Sequence, residues 1–130
     1  MSTILCLDPG TVHTGIAVSE EGILVTPLTT IFEKNLDKLI GLLTPIIARY
    51  HPETIVIGQP EYGPLLHTTK ILGEKLKDIF SGEIVYFRED LSSYAARRVM
   101  KEQHKTLVKR KKEEHQTAAA LILQDYLESI

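Results

Sequence analysis

A chain of 130 residues, 43% hydrophobic and 25% charged, can bury one sizeable core and is short for two domains, so a single domain over 1–130 is expected. No apolar run approaches the roughly 18 residues of a membrane-spanning helix, and Met1-Ser2-Thr3 leads straight into an apolar run without a basic leader or a small-residue cleavage site, so no membrane partner is expected. The single cysteine, Cys6, cannot close an internal disulfide, which makes a reducing cytoplasm the expected compartment. Fifteen basic and 17 acidic residues leave a net charge of -2, which on its face disfavours a polyanionic partner.

Along the chain, Ile4-Leu5-Cys6-Leu7 is an apolar run without polar alternation, suited to a strand covered on both faces. Gly15-Ile16-Ala17-Val18 and Ile23-Leu24-Val25 flank Ser19-Glu20-Glu21-Gly22, a sequence suited to a hairpin turn, and the third strand is expected over 23–31. From Asn35 to Arg49, Leu36, Leu39, Ile40, Leu43, Ile46 and Ile47 follow helical spacing, with Asn35 as N-cap and Pro45 as a candidate kink. His51-Pro52 stops that helix, and Thr54-Ile55-Val56-Ile57-Gly58 reads as a fourth strand. Leu65, Leu72, Leu76 and Ile79 line a second helix closed by Ser81-Gly82, and Ile84-Val85-Tyr86-Phe87 is a fifth strand. Ser92 or Ser93 opens a basic helix, the chain crosses a Lys/Arg stretch, and a last helix is expected from about Glu113 to Glu128. The order β-β-β-α-β-α-β-α-α predicts an α/β fold with a mixed five-stranded sheet between helices.

The net charge conceals an asymmetry. Residues 97–112 carry Arg97, Arg98, Lys101, Lys105, Lys109, Arg110, Lys111 and Lys112 against Glu102 alone, so this segment sums to +7 and the remainder to -9. Such a block suits a phosphate-binding arm as well as a solvated helix face. The acids show a pattern of their own. Asp8 closes the first strand before Pro9-Gly10, Glu61 follows the fourth, and Glu89 with Asp90 follows the fifth. Ligands of open α/β sheets gather beyond the carboxyl ends of parallel strands. Carboxylates brought together there repel one another unless cations neutralise them, which suits Mg2+ or Mn2+.

In the last helix His115, Ala119, Ile122 and Tyr126 share a face, placing an imidazole at its expected first turn, where it could ligate metal, move a proton, or simply sit partly exposed. His13, His51, His67 and His104 lack paired ligand spacing and are read as surface residues. Cys6 is read as a buried small hydrophobe, and Gly10 and Gly15 as relief of backbone crowding at the first turn and hairpin.

Leu7-Asp8-Pro9-Gly10-Thr11 through Gly15-Ile16-Ala17-Val18-Ser19 resembles the opening motif of the YqgF (RuvX) family, Holliday-junction-resolvase-like nucleases with a ribonuclease-H-like fold. Ile55-Val56-Ile57-Gly58-Gln59-Pro60 resembles that family's strand ending in Gly-Leu-Pro, and Arg88-Glu89-Asp90-Leu91-Ser92-Ser93 its Asp-Glu-Arg-Leu-Thr-Thr segment. Lys109-Arg110-Lys111-Lys112 and Ala118-Ala119-Ala120-Leu121-Ile122-Leu123-Gln124 resemble its basic loop and terminal helix. The motifs arrive in order over about 8 to 127.

The resemblance implies a nuclease with a two-metal Mg2+ or Mn2+ site built from Asp8, Glu89 and His115. Asp90 is a substitute or additional ligand, and Glu61 is a secondary candidate near where the related RuvC enzymes carry a carboxylate. His115 falls where the family has an aspartate, as in some RuvC relatives. Arg97, Arg98, Lys101, Lys105 and the 109–112 run would hold phosphates of branched DNA or structured precursor ribosomal RNA, with the protein a monomer or homodimer. Two readings stand beside the endonuclease. One is a nucleic-acid-binding module that keeps the fold without cutting. The other is an actin-like nucleotide binder, which also uses an Asp-x-Gly-Thr turn but generally needs two such domains.

Overall fold

A computed structural model describes residues 2–60, 63–88 and 107–130, the last segment with its side chains from His115 onward. Five strands, β1 (Ile4–Pro9), β2 (His13–Ser19), β3 (Thr26–Phe32), β4 (Thr54–Gln59) and β5 (Glu83–Arg88), form one sheet in the order β3-β2-β1-β4-β5. The β1–β2 and β2–β3 pairs are antiparallel, whereas β1–β4 and β4–β5 are parallel. Helices α1 (Leu36–Tyr50) and α2 (Pro64–Leu76) cover one face and α3 (Leu107–Ser129) the other, giving the predicted mixed five-stranded α/β architecture with both faces covered.

The two cores follow from strand alternation. Leu5, Leu7, Ile16, Val18, Ile55 and Ile57 point toward α1 and α2 and pack on Leu39, Leu43, Leu72 and Leu76. Ile4, Cys6, Ala17 and Val56 point the opposite way, onto Ala119, Ile122 and Leu123 of α3. A strand buried on both sides needs apolar residues at every position, and for that reason Ile4–Leu7 shows no polar alternation. Cys6 is fully buried in the second core.

Local signals set the boundaries of α1. The Asn35 side chain accepts a hydrogen bond from the Lys38 N–H at 3.0 Å, capping the first turn. At the other end His51 adopts a left-handed conformation, φ 48°, and its N–H reaches the Ile47 carbonyl at 2.9 Å before Pro52 stops the helix. Helical structure runs through Pro45, while the Thr44 hydroxyl donates to the Ile40 carbonyl one turn back.

Three sequence expectations change. The third strand begins at Thr26 rather than Ile23, because Val18 pairs with Thr26 and the connection occupies 20–25. Ile23 and Leu24 consequently stand in solvent at 77% and 76% exposure. The second helix ends at Leu76, leaving Ile79 beyond it and exposed. The last helix starts at Leu107, not near Glu113, so the backbone of Lys109–Lys112 is helical instead of a loop. Lys and Arg are good helix formers, and no Gly or Pro interrupts 107–129. The helix expected to open at Ser92 or Ser93 lies outside the described residues.

Gly15 sets the approach of α3 to the sheet. A methyl group there would overlap the backbone carbonyl of His115, so helix and strand meet main chain to main chain. Gly15→Ala should therefore destabilise the protein by about 1–3 kcal/mol through overpacking. Gly41→Ala is the control, since its methyl would enter open space on α1 and should add about 0.5–1 kcal/mol of stability. Urea unfolding midpoints measure both, and a Gly15→Ala protein as stable as wild type would contradict this seating of α3.

Candidate active site

Asp8 occupies the carboxyl end of the central strand β1. It is 8% exposed and continues the Ile4, Cys6 parity, which directs its side chain to the α3 face. Its cross-strand partner is Gly15, the residue on which the His115 backbone rests. Directly paired residues of an antiparallel ladder project to the same face. One missing side chain thus brings the last helix down beside the only acidic residue of β1.

The turn between β1 and β2 adds a second imidazole. Gly10 N–H donates to the His13 carbonyl at 2.7 Å, closing the turn. His13 shares the parity of Gly15, and its ring lies against Gly10 and faces His115. The two imidazoles have centroids 3.3 Å apart with planes tilted by 35°. Phe32 pairs with His13 across β2–β3, and those two ring centroids are 6.2 Å apart. Thr30, next on that face of β3, donates its hydroxyl toward the Gln116 side chain at 3.4 Å. From α3 outward the rings therefore run His115, His13, Phe32, with the last 66% exposed.

These positions revise the reading of the histidines. His115 does lie on the inward face with Ala119 and Ile122, but it sits past two turns of α3 rather than at its first turn, because the helix begins earlier. His13, read from sequence as a surface residue, is half-buried against His115. Sequence spacing could not reveal a pair contributed by a hairpin turn and a helix a hundred residues later. The available hint is Gly15, a glycine inside an apolar strand, which marks a close backbone approach. His51 and His67 are exposed as expected.

Of the other candidates, Glu61, Glu89, Asp90, Arg97, Arg98, Lys101 and Lys105 lie outside the described residues. For Lys109, Arg110, Lys111 and Lys112 the helical backbone is described and the side chains are not. Among the described residues, no group of three His, Cys, Asp or Glu side chains gathers as a metal cage. Asp8 and His115 do offer a carboxylate oxygen and an imidazole nitrogen on one sheet face, a donor pair compatible with Mn2+, while Mg2+ would take the carboxylate. A cavity of about 490 Å³ beside Pro9 and Gly10 is lined by Leu36, Leu39 and Leu65. It lies on the α1–α2 face, away from the Asp8 side chain, and is not this site.

Comparison with known proteins identifies the setting. The family model described as "RuvX: Holliday junction resolvase" matches residues 2–129. A Clostridium perfringens protein named "Putative pre-16S rRNA nuclease" is 37% identical, the alignment covering 98% of this chain and 97% of that protein. A Geobacillus kaustophilus protein of the same name is 38% identical over 96% of each. Among solved structures, Thermus thermophilus RuvC in complex with a Holliday junction substrate superposes with a TM-score of 0.59 at 14% identity, covering 99% of this chain and 95% of that one. The fowlpox virus Holliday junction resolvase gives 0.60 at 11% identity, covering 98% and 99%. At such identities the two structures speak to the fold, which is that of the RuvC-like resolvases. With the family model spanning 2–129 and relatives above 30% identity over nearly their full lengths, this chain belongs to the RuvX family.

Proposed function

We propose that the chain is a divalent-metal-dependent endonuclease acting on structured nucleic acid, with precursor 16S ribosomal RNA as the first substrate to test and branched DNA as the second. The observation that carries this reading is the seating of His115 beside the buried Asp8 through Gly15. Membership of a nuclease family, and relatives named for pre-16S rRNA cleavage, support the reaction class and the RNA substrate. The junction-resolving neighbours support only the fold.

Asp8 holds the cation at the strand end, and Glu89, which follows the last residue of β5 directly in sequence, is the second carboxylate of the set. A bound Mg2+ or Mn2+ supplies Lewis-acid stabilisation of the phosphoryl oxygens and activation of water. His115 either ligates or exchanges a proton with the reacting oxygens, and His13, stacked on it, restricts the orientation of its ring. Asp90 and Glu61 are additional candidate donors. The α3 backbone carries 109–112 beyond His115, away from the core residues Ala119 and Ile122, by about 4–9 Å at 1.5 Å per residue. In this reading Lys109, Arg110, Lys111 and Lys112, with Arg97, Arg98, Lys101 and Lys105, hold substrate phosphates.

Cleavage of precursor 16S rRNA and of junction DNA, each with Mg2+ or Mn2+, tests this reading. Asp8→Asn should lower the rate at least ~100-fold and weaken Mn2+ binding measured by calorimetry, because it removes the anionic ligand. Equal cleavage by wild type and Asp8→Asn would sink it. RNA affinity without any Mn2+ binding would instead favour a non-cutting module, the reading to which the histidine at position 115 lends weight.

The salt dependence makes a separate demand. Replacing both Lys109 and Arg110 by Ala should flatten the slope of log affinity against log salt by roughly 1.4–1.8, about 0.7–0.9 for each phosphate no longer neutralised. A slope identical to wild type would remove these two residues from the phosphate-binding set.

A further inference from the structure

We infer that Phe32 is a stacking platform for an unpaired nucleobase, so that the substrate segment presented to the site is single-stranded or locally opened. This rests on the nucleic-acid reading of the Asp8 site and specifies the strand form it takes. Phe32 terminates β3 and is 66% exposed, although its partner across the ladder, His13, is half-buried. A phenyl ring held in solvent at a strand end offers a free aromatic face on a fixed backbone. The ring is tilted by 58° from His13, whose imidazole stacks on His115. Phe32 therefore stands at the outer end of a row of rings that begins beside Asp8.

The spacing suits a neighbouring nucleotide rather than the reacting one. Phe32 lies two strands from β1, about 10 Å across the sheet at 4.8 Å per strand. A phosphodiester at Asp8 would leave an adjacent base within reach of the Phe32 ring. Inside a duplex the faces of that base are covered by its stacked neighbours, whereas an unpaired base has a free face to offer. Stacking on an aromatic side chain accepts any base, because every base presents a π-face. The position consequently selects strand form and not sequence. Thr30, two residues earlier on the same strand face, is engaged by Gln116 of α3, so the helix covers β3 up to Thr30 and leaves Phe32 open.

The test uses the full chain without divalent metal, so that binding is measured apart from cleavage. The probes are a short mixed-sequence single strand, as RNA and as DNA, carrying one 2-aminopurine, and the same sequence as a duplex. Phe32→Ala should weaken single-strand binding by roughly 5- to 100-fold and abolish the quenching of 2-aminopurine, leaving duplex affinity within about twofold. Phe32→Tyr should restore both single-strand affinity and quenching. Because Phe32 is exposed, these variants should unfold at the wild-type urea midpoint, which checks that the loss is local. Unchanged single-strand affinity and quenching in Phe32→Ala would overturn the platform and leave the nuclease reading standing. Equal losses on single strand and duplex would overturn the preference for an unpaired base. Absence of wild-type binding to every probe would instead defeat the nucleic-acid reading itself.

Discussion

The approach of α3 to Gly15 is the constraint on which the rest of the site depends. Helix and strand meet through main-chain atoms, and any side chain at position 15 would force them apart. Gly15 is also the ladder partner of Asp8. The contact that closes the second core therefore fixes how close a helical residue comes to the β1 carboxylate. Ile4, Cys6 and Ala17 on the sheet side, with Ala119, Ile122 and Leu123 on the helix side, press the same interface together from below. Core packing and site geometry are one interaction at two heights on the sheet. The alanines in α3 belong to this arrangement, since small side chains permit a helix to settle close to a sheet.

Much of this is legible in the amino-acid sequence, for identifiable reasons. Strands β1 and β4 are apolar at consecutive positions because helices cover both of their faces, and that pattern is hard to mistake. Asn35 announces α1 because capping is a local interaction, decided within four residues. Asp8 stands out because it is an acid in an apolar run with Pro9-Gly10 directly after it, although β1 runs one residue further, through Pro9. His115 stands out because its helical period places it with Ala119 and Ile122. What escapes a reading of the sequence is non-local or lacks an apolar period. The start of β3 depends on its register with β2, which the attractive turn at 19–22 obscures. The start of α3 lies in a run of cations without apolar periodicity, and a solvated helix resembles a loop when judged by hydrophobic pattern alone. The His13–His115 pair belongs to neither segment by itself.

The division of charge acquires a spatial meaning through α3. In sequence, the basic run and the acidic remainder nearly cancel. In the fold, Lys109–Lys112 extend the same helix that seats His115 against Gly15, so one rigid element links the cationic stretch to the carboxylate of β1. A helix transmits that relation better than a loop would, because its rise per residue is fixed and the cationic segment keeps a constant offset from the site.

An imidazole at position 115 also changes the electrostatics of the proposed metal site. Three carboxylates in one cluster would carry three negative charges, and their mutual repulsion is strong until cations bind. In the site as proposed, Asp8 and Glu89 would carry two, with an imidazole in place of the third carboxylate, so less cation charge would be needed for neutrality. With His115 as a ligand the donor atom would change too, from oxygen to nitrogen, which would move the preference from Mg2+ toward Mn2+. His13 bears on the same donor by geometry: its ring lies against that of His115, centroids 3.3 Å apart, and so limits the orientations in which the imidazole can present a nitrogen to the site.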